Sequence, residues 1–212
     1  MAWPGWSPVE LVDHAAAHGP RQFQPGGASP TTDTGYVVAG ILVEQVTSRP
    51  LHEVYRELVV DPLEMDMTWL EGRDPARTAE VARHDSDRFD WSTISPTIDW
   101  AGGGRATTAP DLARFVCGFW CGRIVTSGAL GEMTQWTPGA SFPPGHALRY
   151  DRYGLGVGRI TVEDVALQGH TGFIGAFAFH APEYDAVIAG THNASEVDRR
   201  PLVAALCREL RR

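Results

Sequence analysis

Val165-Ala-Leu-Gln-Gly-His-Thr-Gly-Phe-Ile-Gly-Ala-Phe-Ala-Phe179 is the stretch that decides the fold class. Its large apolar residues recur at every second position, the period of a strand with one face buried. The same period runs upstream through Tyr153, Leu155 and Val157, which alternate with Gly. It runs downstream through Ala186 to Thr191, beyond a Pro182-Glu-Tyr turn. Short alternating runs joined by turn residues predict an antiparallel meander. Asp198 and Pro201 then open a last helix, with Leu202, Val203, Leu206 and Leu210 as the stripe that would lie on the sheet.

Upstream the period changes to that of helices. Thr108-Ala-Pro-Asp111 has the shape of a capping box, and Leu112, Phe115, Val116, Phe119 and Trp120 repeat at helical spacing. Ser7 to His18 reads as a short helix capped by Ser7 with Pro8 in its first turn. Tyr36 to Val46 is apolar on nearly every face, which predicts a helix buried all round, and a further helix runs from Pro50 to about Val60. Asp61 to about Gly104, with His84, Asp85, Asp87 and Asp90, reads as an excursion over the surface. Helices, then strands, then one helix predict an α+β fold with an antiparallel sheet packed against helices. The expectation is a single domain over 1–212, helical to about 140, with the sheet and C-terminal helix at about 150–212.

Composition narrows the function. Of 212 residues, 43% are hydrophobic and 21% charged, as in a globular chain. Lys and Arg together number 18 against 26 acidic residues, a net charge of −8, so the basic footprint of a nucleic-acid binder is missing. Every one of the basic residues is Arg; the chain contains no Lys. No leader-like start and no apolar run of about 18 residues is seen, so the expected location is cytoplasmic, away from membranes.

Three segments in order resemble the serine β-lactamase and penicillin-binding-protein superfamily, in its class C, D-Ala-D-Ala carboxypeptidase and esterase branch. Phe23-Gln-Pro-Gly-Gly-Ala-Ser-Pro-Thr-Thr-Asp-Thr-Gly-Tyr-Val-Val-Ala-Gly40 is similar to the family's F-x-P-G-x-x-F-x-Y-S-N-x-G-Y-x-x-x-G. Ala101-Gly-Gly-Gly-Arg-Ala-Thr-Thr-Ala-Pro-Asp-Leu-Ala-Arg-Phe115 resembles A-G-G-x-x-S-T-x-x-D-L-A-R-F. Gly169-His-Thr-Gly172 stands where the family carries K-T-G or H-x-G.

The resemblance implies acyl transfer to a Ser activated by a Lys three residues on, with a Tyr of Y-x-N sharing the proton. Without Lys there is no S-x-x-K, and the aligned Tyr and Asn are Thr31 and Asp33. What the resemblance leaves is a set of remnant positions, Thr31, Asp33 and His170, and a substrate-side strand, His170, Thr171, Gly172 and Phe173, whose Phe173 N–H aligns with one oxyanion donor. The expectations are therefore a fold incomplete at its N-terminus and no covalent hydrolysis by this chain alone. The alternative is a non-catalytic ligand-binding or assembly protein. Expected partners are a small amide or ester, a second copy, or a complementing chain.

Other features read as structural. Asp33 is placed as the N-cap of the helix near Gly35. His14 with His18, and Cys117 with Cys121, share i, i+4 spacing that could meet at zinc, but are read as solvated His and core Cys, with no metal and no cofactor. The His84–Asp87 run is a solvated turn, and Gly154 to Gly158 is a packing feature of a strand. Trp91 and Trp100 are read as loop anchors.

Overall fold

The structure is a computed structural model that describes residues 5–19, 32–74, 95, 97–138, 148–194 and 197–212. A six-stranded antiparallel sheet runs in strict chain order: β3 (Thr137–Pro138), β4 (Arg152–Tyr153), β5 (Gly158–Val162), β6 (Val165–Thr171), β7 (Ala176–Ala181) and β8 (Ala186–Thr191). The predicted meander is thus present, with a 3₁₀ turn at Pro182–Tyr184 between its last two strands. A two-stranded pairing of β1 (Trp69–Leu70) and β2 (Arg105–Ala106) lies apart from it.

The register places Ile160 opposite Leu167, Gly169 opposite Phe179, and Phe179 opposite Ile188. These residues share one face. Gly169 apart, they form the main core with Val203 and Cys207 of α7 (Arg200–Leu210). Alternation puts His170 and His180 on the other face. That face meets α5 (Ala109–Trp120), whose Trp120 stacks on His180 with centroids 5.3 Å apart. On α7 the buried residues are Val203, Ala204 and Cys207; Leu202 faces solvent, one residue off the predicted stripe.

The N-terminal helices are α1 (Pro8–His18), α2 (Asp33–Thr47) and α3 (Leu51–Tyr55), the last continued by one π turn at Arg56–Val60. Ser7 caps α1 in a reciprocal capping box with Glu10. Helix α4 (Trp100–Gly103) packs on α2, and α6 (Ser127–Met133) follows α5. Trp100 is buried against the Gly40 face of α2, as an anchor. Trp91 and the His84–Asp87 run lie outside the described residues.

Three expectations are corrected. First, α2 is not buried all round: only Val37 and Gly40 are buried, while Val38, Leu42 and Val46 form an exposed stripe, Val46 at 84%. Second, residues 61–74 are no surface excursion, because Leu63, Met65, Trp69 and Leu70 are buried. The organiser is Asp111, 2% exposed, whose carboxylate accepts from the Met67 N–H (2.8 Å) and the Thr68 hydroxyl (3.0 Å) and pairs with Arg114 (2.6 Å). Third, Cys117 and Cys121 are exposed and Cys207 is the core thiol. Apolar neighbours in sequence do not place a residue on the buried face of its helix.

Candidate functional site

The last residues of β6 lie among three tyrosines. His170 accepts or donates at both ring nitrogens: Nδ1 is 2.7 Å from the Thr171 carbonyl oxygen and Nε2 is 2.8 Å from the Tyr153 hydroxyl. A carbonyl oxygen only accepts, so Nδ1 carries the hydrogen. Nε2 then has a free lone pair, and the Tyr153 hydroxyl donates to it. The bonding pattern therefore selects one neutral tautomer.

Electrostatics agree with that assignment. Burial holds His170 below its usual pKa, opposed by the Thr171 carbonyl bond. Burial raises the Tyr153 phenol strongly, with Tyr36 and Tyr150 adding to the effect. Both members stay uncharged at neutral pH. Moving the proton from phenol to imidazole would create two charges in a half-buried site, against both shifts at once.

Tyr150 approaches the same strand end from the core side. Its hydroxyl accepts from the Thr171 N–H at 2.8 Å and lies 3.2 Å from Thr171 Oγ1. The ring lies flat against Gly158, where an added Cβ would sit 2.1 Å from a ring carbon. Only glycine permits that approach. Burial pushes the Tyr150 phenol up to about 12, opposed by the Thr171 bonds and by the nearby Arg199 guanidinium, itself buried.

Helix α2 joins the cluster through Tyr36, which hydrogen-bonds Tyr153 and whose hydroxyl borders the Gly156 turn, where φ is +76°. The first turn of α2 and the end of β6, the two segments singled out in the sequence, are thus bridged by Tyr36 and Tyr153. Asp33 sits in that first turn. It is the first helical residue and not the cap, which is Thr32, and Thr32 makes no side-chain capping bond. The Asp33 residue is exposed, yet neighbouring protein desolvates its carboxyl enough to raise its pKa. Thr31 lies outside the described residues.

Beyond Thr171 the chain turns, with the Gly172 N–H bonded to the Ala176 carbonyl at 2.8 Å. Phe173 is 52% exposed at this turn.

Tyr36, Tyr150 and Tyr153 were not identified from sequence as site residues. Tyr36 lies within the Phe23–Gly40 segment and Tyr153 precedes the Gly-rich run, but period-two alternation assigns Tyr153 no more than a place in a strand. Among the described residues no cluster of three or more His, Cys, Asp or Glu could hold a metal ion, and the His and Cys pairs are not brought together. No helix among them is long and apolar enough to cross a membrane.

A family model described as Beta-lactamase matches residues 2–207. Among solved structures, D-amino acid amidase from Ochrobactrum anthropi SV3 is similar at a TM-score of 0.84 and 25% identity, over 100% of this chain and 66% of that one. D-stereospecific amidohydrolase from Streptomyces sp. is similar at 0.74 and 28%, over 96% and 62%. The penicillin binding protein from Bacillus halodurans shares the fold at 0.71 and 18%, over 93% and 62%. The chain thus spans about two thirds of the length of these relatives.

Proposed function

Because the chain belongs to the Beta-lactamase family, we propose that the strand end from His170 to Phe173 recognises a small amide or ester, and that these 212 residues by themselves form no acyl-enzyme. One observation carries the reading: the groups left to move a proton are locked in neutral, mutually bonded forms. His170 has both nitrogens engaged, and Tyr153 is held protonated. Serine acyl transfer needs a base beside the hydroxyl, and the Lys amine of the family's Ser-x-x-Lys is absent from the sequence. An oxyanion donor alone, worth about 2.7–4 kcal/mol, stabilises a tetrahedral intermediate but supplies no attacking atom. Similarity to D-amino acid amidase and D-stereospecific amidohydrolase supports a D-amino acid amide as the first ligand to try.

The test has two arms. D-Phenylalanine amide titrated into the chain, followed by imidazole NMR of His170, should shift that ring in a saturable way. The chain treated with a fluorescent penicillin or a fluorophosphonate should stay unlabelled. A labelled band above a heat-killed control would refute the absence of acylation, and an unmoved His170 signal would refute the recognition site.

A second reading is favoured by the exposed stripe Val38, Leu42 and Val46. About a third of each solved relative has no counterpart here, and a segment of that kind, in a longer chain or a second polypeptide, would find an apolar partner on this stripe. Such a complement bearing Ser and Lys would restore hydrolysis. Co-expression with that segment, assayed on a chromogenic ester, separates the two readings.

A further inference from the structure

We infer that Cys117 and Cys121 form a two-thiolate site for a thiophilic divalent cation of the zinc type, with water completing its coordination. The two Sγ atoms stand 3.8 Å apart. Two thiolates bound to one ion with arms of about 2.3 Å at a tetrahedral angle stand about 3.8 Å apart. The separation seen between the free thiols is therefore the separation the ion requires. A disulfide, by contrast, holds its sulfurs about 2.05 Å apart, and both thiols here are free.

Three further features favour a cation here. Both thiols are exposed, so an ion enters without opening the core, whereas Cys207 is shut inside it. The pair occupies the last turn and C-cap of α5, where the Cys121 N–H bonds the Cys117 carbonyl at 2.9 Å and fixes the spacing of the two residues. The negative end of the helix dipole lies there. Binding is written Zn²⁺ + 2 RSH → Zn(SR)₂ + 2 H⁺, with no change of oxidation state. With only two protein donors, the remaining coordination positions face solvent, so the ion would be exchangeable.

The reduced, tag-free chain titrated with Zn²⁺ in a calorimeter should bind one ion and release two protons. The ion should protect Cys117 and Cys121 together from iodoacetamide. Phenylarsine oxide, which condenses with two neighbouring thiols and loses water, should add once per chain by intact mass. Cys117→Ser and Cys121→Ser should each weaken Zn²⁺ binding at least tenfold and abolish the arsenical adduct. Circular dichroism confirms that these surface variants fold. Protection of one thiol only, or binding unchanged in either variant, would overturn the site. Loss of binding in His14→Ala instead would move the ion to the stacked His14–His18 pair on α1 and overturn it equally.

Discussion

The Tyr153 hydroxyl donates to His170 Nε2 across 2.8 Å, while the opposite nitrogen, Nδ1, donates to the Thr171 carbonyl. One phenol and one backbone carbonyl thus hold the imidazole in a single tautomer and orientation at the end of β6. Removing the phenol by Tyr153→Phe leaves Nε2 buried without a donor. We expect a loss of about 1–3 kcal/mol in urea unfolding and a marked shift of the Nε2 resonance, with Nδ1 unchanged. An unaltered Nε2 shift would mean that the pairing is absent in solution.

Acid should weaken the fold through the same ring. His170 titrates lower in the folded chain than its ordinary 6.5 because burial disfavours the imidazolium. The unfolded chain therefore takes up the proton first. The stability this contributes is complete above about 6.5 and is lost as pH falls through the folded value. Thermal melts between pH 7 and 5 should show Tm falling, and His170→Gln should flatten part of that slope.

Alkali acts through Tyr150 with the opposite sign. Its folded pKa is about 12 against 10 when free, so the unfolded chain loses the proton first. The contribution, on the order of 2–3 kcal/mol, is present below pH 10 and disappears as pH rises through 12. Spectrophotometric titration of the phenols should show Tyr150 and Tyr153 ionising late, and Tyr150→Phe should remove one of these two late steps.

Gly158→Ala should be costly out of proportion to one methyl group. The new Cβ would meet the Tyr150 ring at 2.1 Å and drive it off the Thr171 N–H. Overpacking of this kind costs about 1–3 kcal/mol. Gly103→Ala, with nothing within 4 Å of its Cβ, is the matched control and should change the urea midpoint little.

Asp111→Ala should loosen residues 65–70, because the Met67 N–H and Thr68 hydroxyl lose their acceptor. The expected cost is about 1–3 kcal/mol, with faster amide exchange at Met67. Asp111→Asn keeps one acceptor oxygen and should recover part of the loss.

Much of the architecture is written locally. Alternation from Tyr153 to Thr191 specifies strands because a strand presents one face every second residue, and short turns leave an antiparallel meander as the simple solution. The Ser7 and Thr108 caps mark helix starts through bonds made within three residues. The lack of Lys, a property of composition, removes the family's own proton acceptor from these residues without any need of coordinates.

Burial and pairing were decided elsewhere. An apolar run predicts a core helix for α2, yet a helix side is buried only if something packs on it, and among the described residues Val38, Leu42 and Val46 stay exposed. The same logic put Cys117 and Cys121 in solvent and Asp111 in the interior. The tyrosine cluster is illegible in sequence because Tyr36, Tyr153 and His170 come from three separate elements. Hydrogen-bond partners across such separations follow from how helix α2 and the sheet dock, and that docking is a property of the whole fold.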